Sequence, residues 1–349
     1  LADRLINPHR GAGLPDLVSP LPAHDGRAVA DLLDLCPAHA PTPLADLPGL
    51  AEKAGVGRLM LKDERSRMGL GSFKALGAAY AIARQAAEAC KGDNWSDALA
   101  GRTFVTASAG NHGLSVAVGA RLFGADAVVY LAETVPETFA ERLRAKGAQV
   151  RRAGATYEES MAAAEAAAAT DATLLSDSSW PGYTEMPYRV MEGYLQMASE
   201  AAGQIGDPPG VILLQAGVGG MAAAVAAHAR SVWGDGPRIV VVEPEAAPAL
   251  IDSIRAGRVI DTDGPVSSMG RLDCKTPSMI ALAGLARDAD LFVTITEAEA
   301  AAGVAALGRA GFATTPSGAA GVAALLTGAV GVDLATRVLA FLSEGPEDG

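Results

Sequence analysis

The chain has 349 residues, half of them apolar, and its 28 Lys and Arg against 40 Asp and Glu give a formal net charge of -12. That length exceeds what one hydrophobic core usually organises, so two domains or one large α/β unit are expected. The acidic balance, with no compensating basic patch, excludes sequence-independent attraction to nucleic acid or to anionic lipid. Cys36, Cys90 and Cys274 are widely spaced, which fits neither a disulfide framework nor a zinc cluster and points to a reducing cytoplasm with no structural metal. The opening residues hold no apolar core of signal length, and charge or glycine breaks the alanine-rich tracts, so neither an export signal nor a membrane segment is expected.

Up to about Leu44 the chain shows few regular patterns and is expected to wrap a domain surface. Beyond it, short β-rich runs alternate with longer helical patterns, the signature of βαβ units and a mostly parallel sheet. Strands are predicted at 58–62, 103–107, 127–131, 150–152, 173–175, 211–215, 238–242 and 291–296. Helices are predicted at 74–88, 113–123, 137–146, 157–169, 188–202, 221–232 and 297–308. The alanine-rich stretch at 161–169 reads as a plain surface helix, because alanine is the strongest helix former.

Several junctions carry chemistry. Lys74, in Gly71-Ser72-Phe73-Lys74-Ala75-Leu76-Gly77, opens a helix among small and apolar neighbours, where its amine can be desolvated and lose its charge as a Schiff-base lysine requires. In Val105-Thr106-Ala107-Ser108-Ala109-Gly110-Asn111-His112-Gly113 a strand meets a helix through a small polar turn. Its amides and the Ser108 hydroxyl suit a carboxylate and the Asn111 amide suits a ring oxygen, while helix capping by Ser108 or Asn111 explains the same residues. At Gln215-Ala216-Gly217-Val218-Gly219-Gly220-Met221-Ala222 a buried strand runs into glycines and a helix, a cradle for a phosphate. Gly217, Gly219 and Ala222 also match a dinucleotide fingerprint, with Glu243 24 residues after Gly219. Thr315 and Ser317 either cap the helix expected near Val322 or reach a pyridine nitrogen. Asp177, directly after a strand, either caps a turn or serves as a general base with its pKa raised by burial. A lysine, an anion cradle and a polar ring contact together suit an aldehyde cofactor that carries a phosphate.

In this order the segments resemble the fold-type II pyridoxal-phosphate enzymes, and among them the diaminopropionate ammonia-lyase family. The resemblance runs from about Pro41 to Ala320 and rests on Lys62-Asp63-Glu64 with Arg67, Gly69, Leu70 and Phe73-Lys74; Gly110-Asn111-His112-Gly113; Asp177 with Trp180, Gly182 and Tyr183; Gln215 to Gly219; and Ser317-Gly318-Ala319. It implies a tryptophan synthase beta-like α/β fold of two mostly parallel three-layer domains: a large cofactor domain, 1–73 plus 177–349, and a small one, 74–176. It implies pyridoxal 5'-phosphate on Lys74, with Asn111 at the ring oxygen, Gly217, Val218, Gly219, Gly220 and Met221 on the phosphate, and Ser317 at the ring nitrogen. Ser108, Ala109, Gly110 and His112 would line the substrate, Asp177 would be the catalytic acid-base, and the chain would form a homodimer.

The implied reaction is β-elimination of an L-amino acid such as 2,3-diaminopropionate, giving a 2-oxo acid and ammonia. A threonine or serine dehydratase-like enzyme and a β-replacement synthase are the alternatives, followed by a non-catalytic cofactor-binding relative. Two departures stand out. Ala109 replaces the aspartate typical of the family, which leaves Asp177, the acid expected to act on the L-enantiomer. Arg271 and Lys275 add two cations to a segment that resembles a substrate-covering loop; facing the site they would favour a second anionic group on the substrate, and facing solvent they would do nothing.

Overall fold

The computed structural model describes residues 3–90 and 94–346. The strands among them are β1 (Arg4–Ile6), β2 (Leu44–Asp46), β3 (Arg58–Asp63), β4 (Thr103–Ala107), β5 (Asp126–Leu131), β6 (Gln149–Arg152), β7 (Thr173–Leu174), β8 (Val211–Gln215), β9 (Arg238–Pro244), β10 (Leu291–Ile295) and β11 (Arg337–Leu342). They segregate into a 7-stranded sheet, ordered β1-β10-β9-β8-β11-β3-β2, and a 4-stranded sheet, ordered β6-β5-β4-β7. Only the two edge strands, β1 on β10 and β2 on β3, pair antiparallel. Every other pairing is parallel. Parallel sheets are covered by helices on both faces, so their strands read as unbroken apolar runs without alternation; β8 and β10 are buried throughout.

Every predicted strand is present. Three others are not among the predictions: the edge strands β1 and β2, and β11, which lies between β8 and β3 near the middle of the larger sheet. The predicted helix at 188–202 is two, Glu185–Gly193 and Leu195–Ile205, meeting at Tyr194. The helix expected near Val322 starts earlier, at Pro316, so Ser317 lies in its first turn. The N-terminal region holds one short helix, Arg27–Leu33. Further helices not predicted are Pro48–Ala54, Ala249–Ala256 and Met279–Asp288.

The Lys62-Asp63-Glu64 and Arg67 motif does not face a cleft. Lys62, Glu64 and Arg67 are fully buried. Lys62 Nζ donates to Glu200 at 2.7 Å, Gln204 at 2.9 Å and the Thr42 carbonyl at 2.7 Å. Arg67 donates to Glu64 and Glu200 at 2.7 to 2.9 Å. Buried charges persist only when paired and hydrogen-bonded, and this network binds the end of β3 to the helix Leu195–Ile205 and to the incoming chain at 40–42. No helix among the described residues is long and apolar enough to cross a membrane.

Candidate functional site

In parallel α/β sheets, ligand sites form where the carboxyl ends of strands open into loops. Here β3 leads to Lys74, β8 to the glycine turn and β11 to Glu344, while in the smaller sheet β4 leads to Ser108 and β7 to Asp177. Lys74 is the first residue of the helix Lys74–Ala89. The turn before it is pinned by Phe73 N–H on the Ser343 carbonyl at 3.0 Å and by the Ser72 to Glu344 bridge. Lys74 Nζ donates to Asp177 Oδ2. The Asp177 loop is held by Tyr183, whose hydroxyl donates to the Leu174 carbonyl at 2.9 Å and accepts from Ser176 N–H at 3.0 Å. The Trp180 ring stacks on Tyr183 at 4.4 Å across a turn that Gly182 closes at φ +88°.

Burial was expected to discharge Lys74 and to raise Asp177; the structure reverses both. Burial does press each group toward neutrality, but Asp177 outweighs it at Lys74 and raises the amine above its ordinary pKa. Lys74 likewise outweighs burial at Asp177 and holds the carboxyl below the usual range. The two are an ion pair, each about one-fifth exposed. His112 is buried, with Nε2 2.8 Å from the Leu175 carbonyl, so that nitrogen carries the proton. Burial lowers its pKa, and it is neutral.

The glycine turn serves two purposes. Gly219 sits at φ +96°, a conformation that side chains rarely tolerate, and the helix Gly220–Trp233 starts with no side-chain cap. Gly217 is glycine for another reason: a Cβ there would lie 2.9 Å from Cys274 Sγ and 3.0 Å from the Arg271 carbonyl oxygen. The 269–278 segment therefore lies directly on the turn, tied by Ser278 N–H to the Val218 carbonyl at 2.9 Å. Burial, with Asp177 nearby, pushes the Cys274 thiol up to about 12.

The two cations of this segment part ways. Arg271 turns toward the Ser108 to Asn111 loop, its Nε 3.4 Å from where a Gly110 Cβ would stand and 3.7 Å from Glu344 Oε2. Lys275 is not brought to the same place. Its Nζ donates to the Ala246 and Pro265 carbonyls at 2.7 and 3.0 Å and to Asp273 at 2.7 Å, which fastens the loop.

Asn111 does not cap its helix. The N-cap is Gly110 with no side-chain bond, Ser108 Oγ accepts from Gly110 N–H at 3.3 Å, and Asn111 Nδ2 donates to Glu344 Oε2 at 2.7 Å. Thr315 caps the helix Pro316–Leu326 through Gly318 N–H at 3.1 Å and donates to Glu344 Oε1. Ser317 Oγ accepts from Arg271 N–H at 3.1 Å. Glu344, 4% exposed at the end of β11, thus joins Asn111 to the turn that carries Ser317. It was not among the expected site residues because its strand was not; the apolar run at 338–342 ending in Ser-Glu-Gly-Pro was the available signal.

The dinucleotide alternative fails on Glu243. Its two carboxylate oxygens accept from Leu250 and Ile251 N–H at 2.7 and 2.8 Å, fully buried at the start of the helix Ala249–Ala256, and have no face left for a ribose.

Residues 35–344 match the model of the family described as pyridoxal-phosphate dependent enzyme. The diaminopropionate ammonia-lyase of Salmonella typhimurium is 31% identical over 341 residues, covering 86% of this chain and 83% of that protein. Diaminopropionate ammonia lyase from Escherichia coli in complex with D-serine superposes with a TM-score of 0.87 at 27% identity, over 99% of this chain and 94% of that one. The same enzyme in complex with an aminoacrylate-PLP azomethine reaction intermediate gives 0.85 at 28% identity, again over 99% and 94%. A mixed α/β fold with two mainly parallel sheets, a family match across most of its length and this similarity throughout together show that the chain belongs to the pyridoxal-phosphate dependent enzymes of fold type II.

Proposed function

We propose that this protein is a pyridoxal-phosphate-dependent ammonia-lyase that eliminates the β-substituent of an L-amino acid, 2,3-diaminopropionate or a β-substituted relative of it, and releases a 2-oxo acid and ammonia. The observation that carries this is the meeting of Lys74 Nζ with Asp177 where strands of both sheets end.

The residues fit the cofactor. An uncapped helix N-terminus behind a turn that only glycine closes at φ +96° leaves amide N–H groups and a positive helix end for a phosphate. Gly217, Val218, Gly219, Gly220 and Met221 would hold it there. Lys74 would hold the aldehyde, Asn111 would face the ring oxygen with its amide set by Glu344, and Ser317 would face the ring nitrogen. When bound, pyridoxal phosphate supplies the electron sink that acidifies the Cα proton and lets the β-substituent leave.

The protein's own part is binding, orientation and proton handling. Amides of the Ser108, Ala109 and Gly110 loop take the substrate carboxylate, and His112, neutral and anchored on Leu175, backs Asp177. Asp177, once Lys74 Nζ has left it, accepts the Cα proton. Ala109 offers no second base, so the substrate is the L-enantiomer. Arg271, turned toward Gly110, favours a β-substituent or distal group that is anionic, and this supports a dicarboxylic substrate as a second reading.

We also propose that 1–73 with 177–349 forms the large cofactor domain and 74–176 the small one, supported by the division of the two sheets between those segments. A cytoplasmic homodimer is proposed as well. Support comes from the wide spacing of the three cysteines and from exposed apolar side chains such as Val18 and Leu35, at 92% and 67%, which a second copy could bury.

Incubation of the loaded protein with L-amino acids bearing β-amino and β-hydroxy substituents, with and without a distal carboxylate, tests the reaction. Diaminopropionate should give about two ammonia per 2-oxo acid, one from Cβ and one from Cα, whereas a hydroxy substrate gives one. Absence of any 2-oxo acid across the panel rejects the proposal.

A further inference from the structure

Tyr194 lies where the helices Glu185–Gly193 and Leu195–Ile205 meet, and it is 1% exposed. Its hydroxyl meets no partner at full hydrogen-bond geometry among the described residues, though Lys74 comes close enough to act on it as a donor. A buried hydroxyl without a partner is unfavourable, and phenylalanine would fill the same volume without that cost. What the hydroxyl faces is therefore the informative part.

The ring lies beside Lys74. Lys74 Nζ is 5.8 Å from its centroid, and Phe73 meets it edge-on at 4.9 Å. Gly77 follows Lys74 by three residues and so shares its helix face. That glycine makes the room, since a Cβ on it would come within 2.8 Å of the Tyr194 hydroxyl oxygen. On the other edge, a Cβ on Gly220, the first residue of the phosphate-turn helix, would be 3.7 Å from the ring. Gly193 brings the helix Glu185–Gly193 against the helix Lys74–Ala89, because a Cβ there would stand 2.3 Å from the Leu76 carbonyl oxygen. Small residues at 77, 193 and 220 thus seat one phenol between the lysine and the glycine turn.

We propose that Tyr194 is a positioning residue for Lys74, its hydroxyl oxygen accepting an N–H from Lys74 Nζ when that amine leaves Asp177. The inference rests on the assignment of Lys74 and Asp177 as the reacting pair. Asp177 can take a proton from Cα only when Lys74 no longer occupies its oxygen, and a displaced amine in a half-closed cleft needs another acceptor. The ionisable groups that act on Lys74 include Asp177, Tyr194 and Cys274, and Lys74 and Asp177 in turn act on His112 and Tyr157; those that act on Tyr194 are Lys74 and Asp177. Burial pushes the Tyr194 phenol and the Cys274 thiol each up to about 12, so both are neutral near pH 7 and Asp177 is the one negative charge in the set.

The test compares wild-type and Tyr194→Phe holoenzyme in thermal unfolding, in the pH titration of the cofactor's visible absorbance, and in kcat and KM for whichever β-substituted amino acid the wild type turns over. A hydrogen bond to the charged form of a group favours that form. Losing the acceptor should therefore move the titration midpoint down by about half a pH unit or more, a roughly threefold loss of proton affinity. Expected beside it are a Tm no lower than wild type and a kcat about tenfold lower at a KM within about threefold, the pattern of an interaction outside ground-state binding. An unmoved midpoint with unchanged kcat overturns the proposal. So does a markedly lowered Tm, which would mean that the hydroxyl holds the fold together. Wild-type protein that binds the cofactor yet releases no ammonia refutes the assigned reaction instead, and the titration shift still decides the role of Tyr194.

Discussion

Replacing Glu344 by glutamine should loosen the cofactor more than it loosens the fold. The carboxylate divides its oxygens, Oε2 accepting from Asn111 Nδ2 at 2.7 Å and Oε1 from the Thr315 hydroxyl. Glutamine keeps one acceptor and turns an NH2 toward the other donor, so one charge-assisted bond of about 1.5 to 3 kcal/mol is lost. The Thr315 hydroxyl can rotate to another acceptor, whereas the Asn111 amide loses its fixed orientation toward the ring. If about half of that energy is expressed at the cofactor, affinity for pyridoxal phosphate falls roughly 3- to 12-fold, by the relation of about 1.4 kcal/mol per decade. Spread over a chain of this size, the same energy lowers Tm by only about 2 to 4 °C. Fluorescence titration of cofactor-free Glu344→Gln with pyridoxal phosphate, alongside thermal unfolding, reads both. Affinity equal to wild type, or a collapse in Tm with affinity retained, would refute the inference that Glu344 sets Asn111.

Asp177→Asn should lower turnover by about 100-fold or more, the usual contribution of a positioned base, while cofactor absorbance survives; equal turnover of D- and L-2,3-diaminopropionate by the wild type would contradict the single-base account. The Lys74–Asp177 pair should also mark the pH dependence of stability in cofactor-free protein. Asp177 is depressed below its ordinary 3.8, so its contribution is present above that value and is lost as pH falls through the lower folded pKa. Lys74 is raised above 10.5, so its contribution is present below 10.5 and is lost as pH rises through the higher folded pKa. Between these limits Asp177→Asn should lower Tm by a constant amount, and below about pH 3.8 it should flatten the acid side of a Tm against pH curve; an unchanged curve would show the pair to be energetically silent. Arg271→Gly should weaken turnover of a β-hydroxy substrate that carries a distal carboxylate relative to diaminopropionate. Lys275→Met, by contrast, should cost about 1 to 3 kcal/mol of stability through its unpaired carbonyls and Asp273, with no change in substrate preference; a preference shift by Lys275→Met alone would reverse that assignment.

What the sequence made legible follows from the period of its patterns. Strands buried on both faces, such as Val211–Gln215 and Leu291–Ile295, announce themselves as apolar runs, and the glycine turn after the first marks an anion cradle by composition alone. The pairing of Lys74 with Asp177 was less visible. Each alone reads as a group that burial would neutralise, and only a contact across 103 residues makes both charges stable together. β11 is as apolar as its neighbours, yet it lies beyond the last motif, and with it went Glu344, whose role appears only when Asn111 arrives from the other sheet. The Lys62 to Arg67 motif was conspicuous and belongs to the frame, because partners such as Thr42 and Glu200 lie far along the chain. Arg271 and Lys275, four residues apart on one loop, could not be told apart until the carbonyls around Lys275 were in place.

The central claim is that Lys74 carries the cofactor, and borohydride reduction of the loaded protein followed by peptide mapping tests it most directly. A single pyridoxyl group on Lys74, absent from Lys74→Ala, is the expected result. A pyridoxyl group on Lys62, Lys275 or any other lysine, or an undiminished adduct in Lys74→Ala, would contradict it.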